Sequence, residues 1–179
     1  MSNRSVLLIL SALCCLFLLS SLVLAQTAGP NCGPDHAILY NKAVKLLDSA
    51  EKKLAAKYTA EAKAQIKEAN SLFSILVKEC GPLQRGRALT ETEMEKEVVN
   101  NQKKDEYYNK GLALEKSAAE HLKQGEDAEA KGQDDLAARY YRQAKAENEQ
   151  AQVSFIQAGI FALRNQQMIF KFLAKQPTP

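Results

Sequence analysis

Reactive side chains are scarce in this sequence. Its 179 residues include two histidines, His36 and His121, four cysteines and no tryptophan. Three residues before His36 stands Gly33, and three before His121 stands Ala118. The Glu-x-x-His pairs of a carboxylate-bridged metal bundle are therefore missing. No Cys-x-x-Cys pair exists, which removes a dithiol redox motif. So few histidines and cysteines leave a structural metal without a ligand set. The glycine-rich phosphate loop, the dinucleotide fingerprint and the His-Glu-x-x-His zinc pattern are absent as well. No serine has a base placed beside it by any recognisable pattern. The expectation is a protein that is not an enzyme, with no cofactor and no bound metal.

An excess of one charge is also lacking. The chain has 24 Lys/Arg against 21 Asp/Glu, for a net charge of +3. Both signs are mixed along its length, so no basic face tracks a phosphate backbone, and a nucleic-acid partner is excluded. Acidic residues gather at Glu91, Glu93, Glu95 and Glu97. Alternation by two places neighbours about 200° apart on a helix. They read as a solvated face that suits a helix N-terminus.

Long apolar runs are missing with one exception. Arg4 precedes Val6 to Ala25, a stretch without charge that ends Val23-Leu24-Ala25. A basic start, an apolar middle and a small residue at the end form a secretory signal, with cleavage before Gln26. Residues 1–25 are read as that signal, and the chain as periplasmic or secreted. The alternative is a membrane anchor through residues 6–25, since about 20 apolar residues span a bilayer. Lipidation at Cys14 or Cys15 is disfavoured by Leu13, where a small residue is wanted. Met168 to Leu173, interrupted by Lys171, is too short to span.

Cleavage leaves Cys32 and Cys80. After a short segment, 26–34, a first helical hairpin is expected over 35–80, with Asp35 as a cap. Apolar residues recur at helical spacing from Leu39 to Leu54 and again from Ala62 to Val77. The second helix is expected to stop at Cys80-Gly81-Pro82. Folding back near Lys57–Thr59 gives equal arms, which bring Cys32 beside Cys80. A disulfide there stabilises by about 2–4 kcal/mol through the unfolded chain.

A linker, 81–89, leads to a longer hairpin over 90–175 and a tail, 176–179. Thr90 and Glu93 form a capping box. An apolar stripe begins at Met94 and Val98, with few contacts expected over the polar stretch 91–104, and strengthens through Tyr108, Leu112, Ala118 (or Ala119) and Leu122 to pack the third helix. A turn at 130–134 follows, then a helix capped by Asp134 or Asp135 and running onward to Phe172. The fold class is all-α, an elongated four-helix arrangement of two antiparallel hairpins.

The hairpins echo each other. Tyr40-Asn41-Lys42 matches Tyr108-Asn109-Lys110, Ser49-Ala50 matches Ser117-Ala118, and Leu54 matches Leu122. On the returning arms, Ala62-Lys63-Ala64 matches Ala144-Lys145-Ala146, and Phe73 matches Phe155. The offset grows from 68 to 82, which places 14 extra residues around the second turn, about two helical turns per arm. This pattern reads as an internal duplication.

Gly125, Gly132, Ala137, Tyr141 and Ala144 fall at spacings that resemble a tetratricopeptide repeat over residues 118–151. In that family such positions hold the small or aromatic residues that set the hairpin crossing. The chain departs from the family at Gln124, where a large apolar residue is preferred, and at His121, Ala128 and Asp134, where aromatics are. The resemblance implies protein or peptide binding on a concave helical face, and no functional residue carries over.

The expected function is a protein–protein interaction or structural module. Tyr107, Tyr141, Phe170 and Phe172 are its candidate surface, one tyrosine of each Tyr-Tyr pair lying in the core and one at the boundary. The partner is an unidentified protein or peptide, or a second copy. One alternative is a bundle holding a small apolar or haem-like ligand through His121, Met94 or Met168. Another is a membrane-associated structural protein using the amphipathic end around Arg164, Lys171 and Lys175.

Overall fold

The computed structural model describes residues 32–84 and 89–175. The signal or anchor and the tail lie outside the described residues. Four α-helices follow one another: α1 (Pro34–Ala55), α2 (Thr59–Gln84), α3 (Glu91–Glu129) and α4 (Asp134–Ile169), with a closing 3-10 turn, Lys171–Lys175. The chain is all-α, two antiparallel hairpins, and no described helix is long and apolar enough to cross a membrane.

The helix ends follow from local chemistry. Gly33, not Asp35, is the cap of α1. Pro34 fills the first helical position, where its missing N–H costs nothing, and the Gly33 N–H donates to His36 Nδ1 at 3.2 Å. Thr90 and Glu93 exchange both expected capping bonds, at 3.1 and 3.3 Å. Gln133 precedes α4, so Asp134 and Asp135 sit in its first turn, where they complement the helix dipole, rather than at the cap. The α2 helix runs through Gly81 and Pro82 to Gln84, one turn past the expected stop. Gly81 does not take a positive φ, and a proline in the last turn removes only one intrahelical bond.

Both hairpins turn the same way. Tyr58 N–H donates to Lys53 carbonyl at 2.9 Å and Lys57 N–H to Leu54 carbonyl at 3.0 Å. Gln133 N–H donates to Ala128 carbonyl at 3.0 Å and Gly132 N–H to Glu129 carbonyl at 2.9 Å. This is the Schellman pattern, which needs one left-handed residue. Gly132 takes φ +68° freely, whereas Lys57 takes φ +65° against its Cβ.

The helix pairs meet on small residues spaced by seven. In α1 and α2 these include Ala43, Ala50, Ala62 and Ala69; in α3, Gly111, Ala118 and Gly125; in α4, Ala137, Ala144, Ala151 and Ala158, all buried but for the few per cent. A seven-residue period keeps one seam facing its partner along the whole hairpin. Asn165 continues the α4 series, buried and bonded to both Asn100 and Asn101 of α3 at 2.8 and 3.0 Å. Such a polar group on an apolar seam penalises any shifted pairing.

The echo is reproduced in space. Gln65 donates to Ser49 at 2.9 Å, and the corresponding Ser117 donates to Glu147 at 2.9 Å. Tyr40 meets Phe73 with ring centroids 6.4 Å apart, and Tyr108 meets Phe155 at 5.7 Å. These contacts follow the offsets of 68 and 82, while the two turns superpose at 75, Lys57 on Gly132. The second hairpin is thus the first with one heptad added to each arm.

Among the described residues, the helix α4 touches every other element, whereas α3 packs on α4 alone. The large-residue core lies between α1, α2, the end of α4 and the 3-10 turn, around Tyr40, Leu47, Phe73, Leu76, Ile160 and Leu163. The α4 helix breaks at Phe170 instead of reaching Phe172. In the tighter 3-10 turn, residues three apart eclipse, so Phe170 and Leu173 both enter that core. Of the expected α3 stripe, Ala118 packs inward and the large residues do not. Met94, Val98, Tyr108, Leu112 and Leu122 are 42–55% exposed, because the glycines and alanines already fill the seam.

A close contact at the seam is testable. A Cβ built on Gly125 would stand 2.5 Å from the Tyr141 ring. Overpacking costs about 1–3 kcal/mol and exceeds the ~1 kcal/mol that alanine gains over glycine in a helix. Gly125→Ala should therefore lower stability in urea unfolding, yet raise it in a Tyr141→Ala background. Equal gains in both backgrounds would contradict this packing.

Candidate functional site

Several polar side chains hold helices together. On the second hairpin, Glu147 of α4 accepts from His121 at 2.8 Å and from Ser117 at 2.9 Å. The Tyr140 ring stacks on His121 at 6.1 Å. The hydrogen bond from His121 is the largest influence on Glu147 and lowers its pKa; desolvation opposes this, and Ser117 reinforces it. At the junction of α4 with α1, Arg164 donates to both oxygens of Glu51, at 3.1 and 2.7 Å, and to Asp48 at 2.9 Å. Partial burial works against the Arg164 charge, but those carboxylates outweigh it and raise its pKa.

Cys32 and Cys80 are joined as a disulfide, with Cα atoms 5.4 Å apart. It clasps the open end of the first hairpin, as the equal arms predict. His36 stands beside it, one ring nitrogen and the two sulfurs within 4.8 Å of one another. Because Nδ1 accepts from Gly33, Nε2 carries the hydrogen and donates to Glu79 at 2.8 Å. Bonded sulfurs offer no thiolate to a metal, so in this state the corner is a structural clasp.

The expected surface residues are dispersed. Tyr107 is half-buried, stacked on Phe161 at 5.7 Å, with Lys103 over the far ring at 5.2 Å. Tyr141 lies across Gly125 and donates to Glu129 at 2.6 Å. That bond, ahead of desolvation and the nearby carboxylates, pushes its hydroxyl up to about 12. No tyrosine of either pair reaches the core: Tyr107, Tyr140 and Tyr141 are half-buried and Tyr108 is exposed. Phe170 is 1% exposed and cannot serve as a surface. Phe172 packs against the same core, half-buried. The haem-like ligand set is not assembled either. Met94 precedes His121 by 27 residues in one unbroken helix, about 40 Å away. Met168 lies 21 residues beyond Glu147, the partner of His121, about 30 Å along α4.

A different surface emerges. The walls α2 and α3 both rest on α4 but do not touch each other. Between them runs a trough. One hollow in it, about 520 Å³, is floored by Phe155, Ile156, Gly159 and Leu163, with Ile66 and Lys67 on one wall and Glu115 on the other. A second hollow of about 230 Å³, lined by α2 and by Gln166 of α4, continues past Asn70 to Val77 and Lys78. Met94, Val98, Tyr108 and Leu112 recur at spacings that share one face of α3. Tyr108 touches Phe155 on the floor, which puts this exposed face on the trough side. Reading the sequence for large apolar residues assigned that face to the core. The signal that finds it is the heptad of Gly111, Ala118 and Gly125, which claims the seam first.

No family model, curated protein or solved structure matches the chain.

The Glu147 bridge carries a pH signature. Its folded pKa lies below the unfolded value, so its contribution is present above the ordinary carboxylate range. It is lost as pH falls through the lowered folded value. Thermal midpoints of the wild type and Glu147→Gln should differ at neutral pH and converge under acid. Parallel curves across the range would contradict the bridge.

Proposed function

We propose that the chain is an exported, non-enzymatic helical module that acts by binding another protein, in the periplasm or outside the cell. The observation that carries this reading is the exposed apolar face of α3. A 39-residue helix packs on one neighbour through glycine and alanine and turns Met94, Val98, Tyr108 and Leu112 to solvent. Large apolar side chains left exposed along one helix face suit an interaction site. The tetratricopeptide-like spacing at 118–151 points to the same class of function. A disulfide that closes the first hairpin suits an oxidising compartment, in agreement with the export signal. Reaction chemistry has little to work with, since His36, His121, Glu147 and Arg164 are each engaged in bonds between helices.

The test uses the oxidised chain from Gln26 onward as bait against exported and membrane fractions, with mild cross-linking. The wild type should retain a protein partner that Val98→Ser/Tyr108→Ser/Leu112→Ser loses, with the helical circular dichroism of the two unchanged. Retention of no protein by the wild type, together with a monomer by light scattering, would end this reading.

A further inference from the structure

We infer that the trough between α2 and α3 receives an amphipathic helix of a partner protein whose apolar stripe is flanked by carboxylates. This rests on the interaction reading above and names the partner's chemistry.

Length and form come first. The two hollows follow α2 from Lys63 to Lys78, about 22 Å at 1.5 Å per residue, or four helical turns. The floor is one helix and the walls are two more, so the free side has the geometry of a missing neighbour in a helical layer. Its apolar lining sits at helical spacing: Ile66 and Val77 on α2, with Phe155, Ile156 and Leu163 below, where Tyr108 of α3 meets the Phe155 ring. A helix docks in such a groove through anchors one face apart. Val77, Tyr108 and Leu112 are 44–51% exposed, so the surface to be covered is apolar and open.

Charge then selects the flank. Lys63 and Lys67 rise one turn apart on the α2 wall, and Lys78 stands at the other end. No described carboxylate pairs with any of them, although Lys42 and Lys53 are paired with Glu68 and Glu61. On the opposite wall Glu115 is the single charged lining residue. Three lysines against one glutamate favour an acidic flank and repel a basic one.

The probes are two 18-residue helical peptides with the same leucine stripe, one flanked by Glu and one by Lys. Fluorescence anisotropy against the oxidised chain should show the Glu peptide binding at least about tenfold tighter, with the gap narrowing in salt. Lys63→Glu/Lys67→Glu should reverse the preference. Ala162→Trp, at a half-exposed position in the trough, should weaken both peptides, while circular dichroism reports an intact fold. The proposal is overturned if neither peptide binds, or if neither variant changes binding. It is overturned as well if the wild type dimerises and Ala162→Trp alone makes it monomeric, for then a second copy fills the trough. A captured partner that ignores all these variants would overturn the trough and leave the interaction reading standing.

Discussion

Close approach of helices at glycine and alanine, repeated every seventh residue, is the constraint on which the rest depends. Each such contact buries little area, but it lets backbones come near enough for dispersion to accumulate along the hairpin. The seam leaves no room for larger groups at its centre: a Cβ on Gly111 would stand 2.5 Å from the Phe155 ring. Large apolar residues of α3 are consequently displaced to its flank. The exposed face proposed for binding is thus a by-product of how the hairpin is held.

The same seam explains why the second hairpin is long and why α4 is the spine of the described helices. A hairpin zipped by small residues needs no third helix along its outer half. Only where α4 passes the first hairpin do Ile156, Ile160 and Leu163 join Tyr40, Phe73 and Leu76 in a large-residue core. Arg164 and the 3-10 turn fasten that junction from outside, and the disulfide closes the end of the first hairpin. The large buried side chains gather around the first hairpin, while the second hairpin extends beyond them on its seam and the Ser117–His121–Glu147 bridge.

Much of this was legible in the sequence. Equal arms placed Cys32 against Cys80, Thr90 and Glu93 announced a helix start, and the matching residues located the added heptads at the turn. What escaped has physical reasons. Met94, Val98 and Leu112 recur as a core stripe would, and periodicity cannot say which of two adjacent faces packs. Pro82 looked terminal, but in a last turn it removes only one bond. Phe170 looked like a surface aromatic because it sits in a stretch with Arg164, Lys171 and Lys175, yet it lies seven residues beyond Leu163 and so on the face that enters the core. The trough was hidden because it is made by three helices, and its lysines look in sequence like any solvated face.

The central claim is that the second hairpin is the first with one heptad added per arm. Removing residues 123–129 and 133–139 together takes out those 14 residues and joins Leu122 to Ala130 and Gly132 to Tyr140, matching the order around Leu54 and Tyr58. Thermal unfolding followed by circular dichroism decides the matter. The double deletion should melt in one cooperative transition near the wild-type midpoint, whereas deleting either heptad alone should cost stability by misaligning Ser117 with Glu147 and Tyr108 with Phe155. A double deletion that fails to fold, or a single deletion tolerated equally well, would contradict the account.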